Sequence, residues 1–217
     1  GFTGIMLGGM GVELSETAER MTKRVQANSR RLLHLINDFL DLSRIESGRL
    51  ELIEAPINVS ELAHKWERDV GILAEDKGLD FTVNIDAKLP GILLGDEDAL
   101  TKIAVNLLSN AFKFTHKGGV KLDIQSEENH SWSISVIDTG IGIPAHARDY
   151  IFDEFRQVDG SSTRKYGGTG LGLSLVQKLS RALGGNVTLD SEVGEGSTFK
   201  VTLPNLVPEA VELEGMA

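Results

Sequence analysis

The 217-residue sequence has no cysteine, so disulfides and thiolate chemistry are excluded, and a reducing compartment is expected. It also lacks any apolar run near the ~20 residues that span a bilayer, and its N-terminus has no charged segment followed by a long hydrophobic one. No direct membrane insertion is expected, and the reading is cytoplasmic, with a membrane-anchored parent left open. A surplus of positive charge is missing too: the net charge is −10 and the pI is near 5.0, which excludes whole-surface binding of nucleic acid or anionic lipid.

What is present is an ordinary globular composition, 41% hydrophobic and 25% charged, in a length that allows one domain plus a smaller attachment. From Met21 to Glu46, the residues Met21, Val25, Leu32, Leu35, Phe39 and Leu42 recur at steps of three and four, a helical seam of near-heptad period. Leu33, Ile36, Leu40 and Ile45 widen it, as in a bundle, and Gly48 ends it. Residues 3–14 have helical spacing interrupted by four glycines, each costing ~1 kcal/mol relative to alanine, so a helix there depends on packing.

After Pro56 the pattern becomes α/β. Asn58 or Ser60 caps a helix to about Lys77, Leu79–Ile85 alternates as a strand, and Asp96 caps a helix through Phe114. Val120–Gln125 and Trp132–Ile137 read as paired strands across a polar turn. A helix from about Gly170 to Leu183 and strands near Val187–Leu189 and Thr198–Leu203 follow. The expected division is 1–51, a partial helical hairpin; 52–206, the α/β domain; and 207–217, an acidic tail.

Four segments carry candidate chemistry. In NLLSNAFKF, Asn106 and Asn110 share a helix face and Lys113 follows three residues later, so two amide oxygens and an ammonium converge as a phosphate-bound Mg²⁺ would require. A solvated polar face is the plain alternative. In DTGIGI, Asp138 leaves a hydrophobic strand where it can accept from an adenine amine, while Gly140 and Gly142 allow close backbone approach; a simple strand-to-loop turn is the alternative. FDEF, followed by RQVDGSSTRKYGG, describes a lid anchored by two aromatics and carrying Arg156, Arg164 and Lys165, or else a surface loop. GGTGLGL opens a helix with glycine-rich amides, an anion site.

The dinucleotide fingerprint, the G-x-x-x-x-G-K-[ST] loop and the H-R-D and D-F-G elements of protein kinases are all absent. In order and approximate spacing, however, the four segments resemble the N, G1, F and G2 boxes of two-component sensor histidine kinases, within the wider GHKL superfamily that includes DNA gyrase and MutL. LLHLINDFLDLSRIESGRLEL is similar to their second dimerisation helix, and GEGSTFKVTLP to their final strand. The resemblance spans roughly residues 22 to 204. It implies an α+β fold: a two-layer, Bergerat-type sandwich with a mixed sheet covered on one face by helices, preceded by a helical hairpin that pairs into a dimeric four-helix bundle.

Residue by residue, the resemblance implies that Asn106 and Asn110 hold Mg²⁺, Lys113 contacts phosphate, and Phe114 and Ile143 line the pocket. Asp138 reads adenine beside Gly140 and Gly142, with Thr198 in support. Arg164, Lys165 and Tyr166 belong to the lid, and Gly168, Thr169, Gly170, Leu171 and Gly172 cradle phosphate. The implied cofactors are ATP and Mg²⁺. The implied partners are a histidine-bearing dimerisation helix, a response-regulator receiver domain and a second copy of the chain.

The acceptor motif H-E-[IL]-R-T-P does not occur in the sequence, so no catalytic residue is identified and autophosphorylation of this chain alone is not expected. His34 reads as a bundle residue, His64, His130 and His146 as surface positions, and His116 as a helix-end residue. A kinase catalytic domain is favoured over an ATP-binding regulatory pseudokinase, and both over an ATP-hydrolysing clamp of the wider superfamily.

Overall fold

The computed structural model describes residues 2–7, 15–157 and 169–206. A short helix α1 (Phe2–Leu7) precedes the long α2 (Glu16–Glu46). Ser15 starts α2 by accepting from the Ala18 amide at 3.3 Å, six residues before the apolar seam begins at Met21. Gly48, at φ 65°, ends it: its amide donates to the Ile45 carbonyl and the Arg49 amide to the Arg44 carbonyl, satisfying carbonyls the helix leaves over. The expected helix over 3–14 is a helix in Phe2–Leu7, and residues 8–14 lie outside the described residues.

The α/β body follows as β1 (Ala55–Asn58), α3 (Val59–Lys77), β2 (Asp80–Ile85), β3 (Ile92–Gly95), α4 (Glu97–Phe114), β4 (Gly119–Glu127), β5 (Ser131–Asp138), α5 (Ala145–Arg148), α6 (Gly172–Ala182), β6 (Asn186–Glu192) and β7 (Gly196–Pro204). Asn58 and Asp96 cap α3 and α4 as their residue types predict. The sequence pattern misses β1, β3 and α5. Each has only four residues, too few to show a period, and β1 with β3 forms a separate two-stranded antiparallel sheet. The helix expected from Gly170 begins at Gly172, because Gly170 takes φ 75°.

The main sheet is mixed, in the order β2-β4-β5-β7-β6, with β2 parallel to β4 and the other neighbours antiparallel. Helices α3, α4 and α6 cover one face. The register stacks that face in rows. Val83, Leu122, Val136, Phe199 and Leu189 form one, and Ile85, Ile124, Ile134, Val201 and Val187 the next. The alternation of strands thus becomes a continuous apolar floor. Trp66, fully buried between α3 and α4, donates its indole N–H to Thr101 Oγ1 at 3.0 Å, satisfying its one polar atom. At the far end of α3, the Lys77 ammonium reaches the Phe112, Lys113 and Thr115 carbonyls, capping α4 where a cation is favoured.

Helix α2 lies against this body only along its C-terminal turns. Leu42 is buried, Leu35 and Ile45 pack on the core, Asp41 pairs with Lys102 at 2.7 Å, and Glu46 pairs with Lys178. The rest of the seam is open: Met21, Val25, Leu32 and Phe39 are each more than half exposed in a single chain. No described helix is long and apolar enough to cross a membrane.

Candidate nucleotide site

At the C-terminal end of β5 the rows of the helix-covered face change character. Phe81 and Val120 continue across the sheet as Asp138, Ser197 and Ser191, so three polar side chains replace the apolar floor at one corner. Asp138 is buried. Its Oδ1 accepts from the Gly140 amide at 2.8 Å, and the Ser197 amide also donates to the carboxylate. Burial pushes the Asp138 carboxyl above its ordinary pKa, and the two amides offset part of that shift. A carboxylate kept under desolvation at a strand end, rather than released to water, is suited to accept from an amine donor on an apolar ligand.

Behind it, residues 139–143 are strapped on both sides. The Ile141 amide donates to the Phe114 carbonyl at 3.3 Å, its carbonyl accepts from Gly194, and the Ile143 amide donates to Ser191 Oγ at 2.8 Å. Thr139 Oγ1 ties the loop to the start of β4 by donating to the Lys117 carbonyl and accepting from the Gly119 amide. A Cβ on Gly140 would lie 2.7 Å from both the Asp138 carboxylate and the Phe114 carbonyl, so only glycine lets these three groups meet. Gly142 turns the loop at φ 66° against the Glu192 carbonyl.

On α4, Asn106 Nδ2 donates to the Lys102 carbonyl at 2.9 Å, which fixes the amide and turns Oδ1 toward the start of α6. There Oδ1 lies 2.6 Å from the position a Cβ on Gly172 would take. Asn110 is one turn further along the same face. Leu171, which precedes α6, supplies no side-chain cap, so the first-turn amides of that helix are left for an anion. Thr169 Oγ1 instead accepts from the Leu171 amide at 3.2 Å and shapes the turn leading in. Lys113 Nζ rests 4.6 Å from the Phe114 ring centroid; burial and the nearby positive charge of Arg31 on α2 hold its pKa below the usual lysine value. An anion placed there would relieve both effects.

Asn106 and Asn110 thus lie on one face of α4, a helix that packs against both α6 and β5, the strand that ends in the buried carboxylate. Neutral oxygens suit a divalent cation that arrives with its own phosphates. Among the described residues no cluster of three or more His, Cys, Asp or Glu could hold a metal by itself.

Of the two aromatics expected to anchor the FDEF segment, only Phe152 does so by its ring, packing edge-on against Phe199 at 6.3 Å; the Phe155 side chain is exposed, and it is its amide that donates to the Gly170 carbonyl at 3.0 Å. Arg156 stacks on Tyr150 at 5.2 Å and pairs with Asp153 at 3.8 Å. Arg164, Lys165, Tyr166 and Gly168 lie outside the described residues.

One expected residue is displaced. Thr198 pairs with Ile137 on the opposite face of the sheet, and Ser197 is the residue facing Asp138. Sequence reasoning missed Ser197 and Ser191, whose hydroxyls lie 3.0 Å apart; Ser191 also donates to the Gly196 carbonyl. Serines in strands carry no signal of their own, and only the register selects these two. Four of the five histidines lie elsewhere: His34 on α2, His64 beside Glu67 on α3, His130 in the β4–β5 turn and His146 on α5; His116 follows the end of α4.

Residues 95–206 match the family described as histidine kinase-, DNA gyrase B-, and HSP90-like ATPase, and residues 1–48 match the His Kinase A (phospho-acceptor) domain. The chain is 39% identical over 206 residues to hybrid signal transduction histidine kinase A of Dictyostelium discoideum, covering 90% of this chain and 10% of that protein. It is 34% identical over 226 residues to the signal transduction histidine-protein kinase BarA of Escherichia coli, covering 100% of this chain and 24% of that one. The chain thus spans between a tenth and a quarter of the length of these two relatives. Among solved structures, full-length ShkA in complex with AMPPNP superimposes with a TM-score of 0.79 at 31% identity, over 91% of this chain and 41% of that one. The Acinetobacter baumannii histidine kinase AdeS shares the fold, with a TM-score of 0.71 at 19% identity over 93% of this chain and 90% of that one.

Proposed function

Because the chain belongs to the histidine kinase-, DNA gyrase B- and HSP90-like ATPase family, we propose that it binds Mg-ATP in the corner between Asp138 and the start of α6 and passes the γ-phosphoryl group to a histidine on a dimerisation helix. The observation that carries this reading is the fixed Asn106 amide oxygen set against Gly172 at the uncapped start of α6, with the buried Asp138 carboxylate at the end of a strand that α4 also packs on. The match of residues 1–48 to a phospho-acceptor domain supports the histidine as acceptor, and the hybrid-kinase relative supports onward relay to a receiver aspartate.

In this reading Asp138 accepts from the adenine exocyclic amine, and Gly140 and Gly142 let the loop lie flat beside the base. Asn106 and Asn110 would hold the magnesium ion, which would supply charge neutralisation for the polyphosphate. Lys113 and the first amides of α6 hold phosphate oxygens, and Arg164, Lys165 and Tyr166 are assigned to the same ligand from the family resemblance alone. Phosphoryl transfer depends chiefly on positioning and electrostatic stabilisation, and both the nucleophilic imidazole and the adjacent acidic group that orients it would come with the acceptor motif.

The test is incubation of this chain with labelled ATP and a separately supplied dimerisation helix carrying the acceptor motif. Acid-labile label is expected on that helix and not on this chain. Removing magnesium is expected to weaken nucleotide binding about tenfold or more, and Asn110→Ala to abolish most of that magnesium dependence. Measurable ATP affinity with no transfer would instead favour the regulatory pseudokinase reading.

The open seam of Met21, Val25, Leu32 and Phe39 supports a homodimer through α2. Light scattering is expected to give twice the 23.5 kDa chain mass at micromolar concentration, and a monomer mass there would count against it.

A further inference from the structure

The Asp96 carboxylate does two jobs with two oxygens. Its Oδ1 accepts from the Ala99 amide at 2.8 Å, capping α4, and its Oδ2 accepts from the Ile53 amide, also at 2.8 Å. Ile53 lies in the linker between α2 and β1, and its side chain is 75% exposed, so the backbone amide and not the side chain fixes the linker at this point. Capping alone needs one acceptor, which serine or asparagine would supply equally well. Burying a charged carboxylate at a residue exposure of 7% is unfavourable unless both oxygens are satisfied.

We propose that Asp96 is a positioning residue that latches the α2–β1 linker to α4, and so sets the attitude of α2 toward the nucleotide site. The proposal rests on the Mg-ATP reading above, since α4 carries Asn106 and Asn110. Two further ties join α2 to the same machinery: Asp41 to Lys102, one turn before Asn106, and Glu46 to Lys178 of α6, which also holds Glu154. Those lysine pairs are partly exposed ion pairs and yield to salt; the latch bond is part-buried and joins the buried Asp96 carboxylate to a neutral amide, so salt screens it less. Asp96 therefore defines the pivot, and the lysines hold α2 down around it. A shift of the pivot moves α2 relative to the magnesium donors without touching any group that contacts nucleotide.

Two substitutions cut the latch from opposite sides. Asp96→Asn leaves one acceptor oxygen for two amides, and Ile53→Pro removes the donor while leaving Asp96 and its cap intact. The chain has no cysteine, so spin labels can be placed cleanly at Arg30→Cys on α2 and Glu128→Cys in the β4–β5 turn, both exposed. At high salt, each latch variant is expected to broaden the inter-label distance distribution relative to the labelled parent and to Ile53→Ala. The double variant should broaden it no further than either single one, because both remove the same interaction. ATP affinity should stay within about twofold of the parent in all of them, since the nucleotide contacts lie elsewhere.

An unchanged distribution in Ile53→Pro overturns the proposal, even if Asp96→Asn broadens, because Asp96 would then act as a helix cap alone. Should Asp96→Asn fail to fold, Ile53→Pro decides by itself. A parent chain that binds no nucleotide would defeat the Mg-ATP reading while the distance measurement still decided the latch.

Discussion

Replacing Asp138 by asparagine is expected to weaken ATP binding by roughly 10- to 100-fold while leaving the melting temperature at neutral pH unchanged or higher. The Gly140 and Ser197 amides both donate to the side chain at position 138. In the variant they claim the one remaining oxygen, and the new NH₂ group then faces the adenine amine, donor against donor. Losing a hydrogen bond to a charged acceptor costs about 1.5–3 kcal/mol, and affinity changes about tenfold for every 1.4 kcal/mol.

Stability should move the other way. Burial raises the pKa of Asp138 in the folded chain, so the stabilisation linked to this group is complete below its unfolded pKa and is lost as pH rises through the folded one. At neutral pH the ionised carboxylate is therefore a destabilising element, which asparagine removes. ATP affinity of the unmodified chain should fall on acidification at a higher pH than for an ordinary aspartate, a limb the variant lacks. Isothermal titration with ATP across pH 4 to 8, beside thermal melts, checks both signs. A variant that loses stability along with affinity would mean that Asp138 is structural.

Gly172→Ala should separate binding from stability in the same direction, for a different reason. The new Cβ would arrive 2.6 Å from Asn106 Oδ1, and Asn106 cannot turn away without breaking its bond to the Lys102 carbonyl. Overpacking of this kind costs about 1–3 kcal/mol. Here the cost falls on the magnesium donor and the phosphate cradle, so Mg-ATP affinity should drop by roughly 5- to 100-fold. Alanine is otherwise the better helix former by up to about 1 kcal/mol, so the melting temperature should change little. Titration with Mg-ATP and with ATP in EDTA distinguishes the cases: the loss should be large with magnesium and small without it. An equal loss in both would place the damage in the amide cradle alone.

Both variants address a corner where the local rules for a stable fold are broken: a carboxylate under desolvation, a helix start without a side-chain cap, and glycines where a Cβ would ease the chain entropy. Much of that corner was legible in advance because its pieces are local. Asn106 and Asn110 share a face through the helical repeat alone, Asp138 is marked by the end of a hydrophobic strand, and Gly170 and Gly172 precede a periodic helix. Asp96 was legible only as a cap. Its second bond, to Ile53, spans 43 positions of sequence and leaves no periodic trace.

Ser197 shows the same limit more sharply. It and Thr198 are adjacent small hydroxyl residues, and either could have faced Asp138. A shift of one position exchanges the faces of a strand, and the choice was made by the β5–β7 register, which depends on how Val136, Phe199, Ile134 and Val201 pack beneath the helices.

The amino-acid sequence by itself determined the types of the longer elements, the capping residues Asn58 and Asp96, the seam of α2 and the order of the four candidate-site segments, because propensity, capping and periodicity act within a few residues of the chain. Tertiary structure alone decided which hydroxyl meets Asp138, where the Asn106 amide points, and how Ile53, Asp41 and Glu46 tie α2 to the α/β body. Those depend on side chains brought together from distant positions by burial of a common core, and no local pattern encodes that meeting.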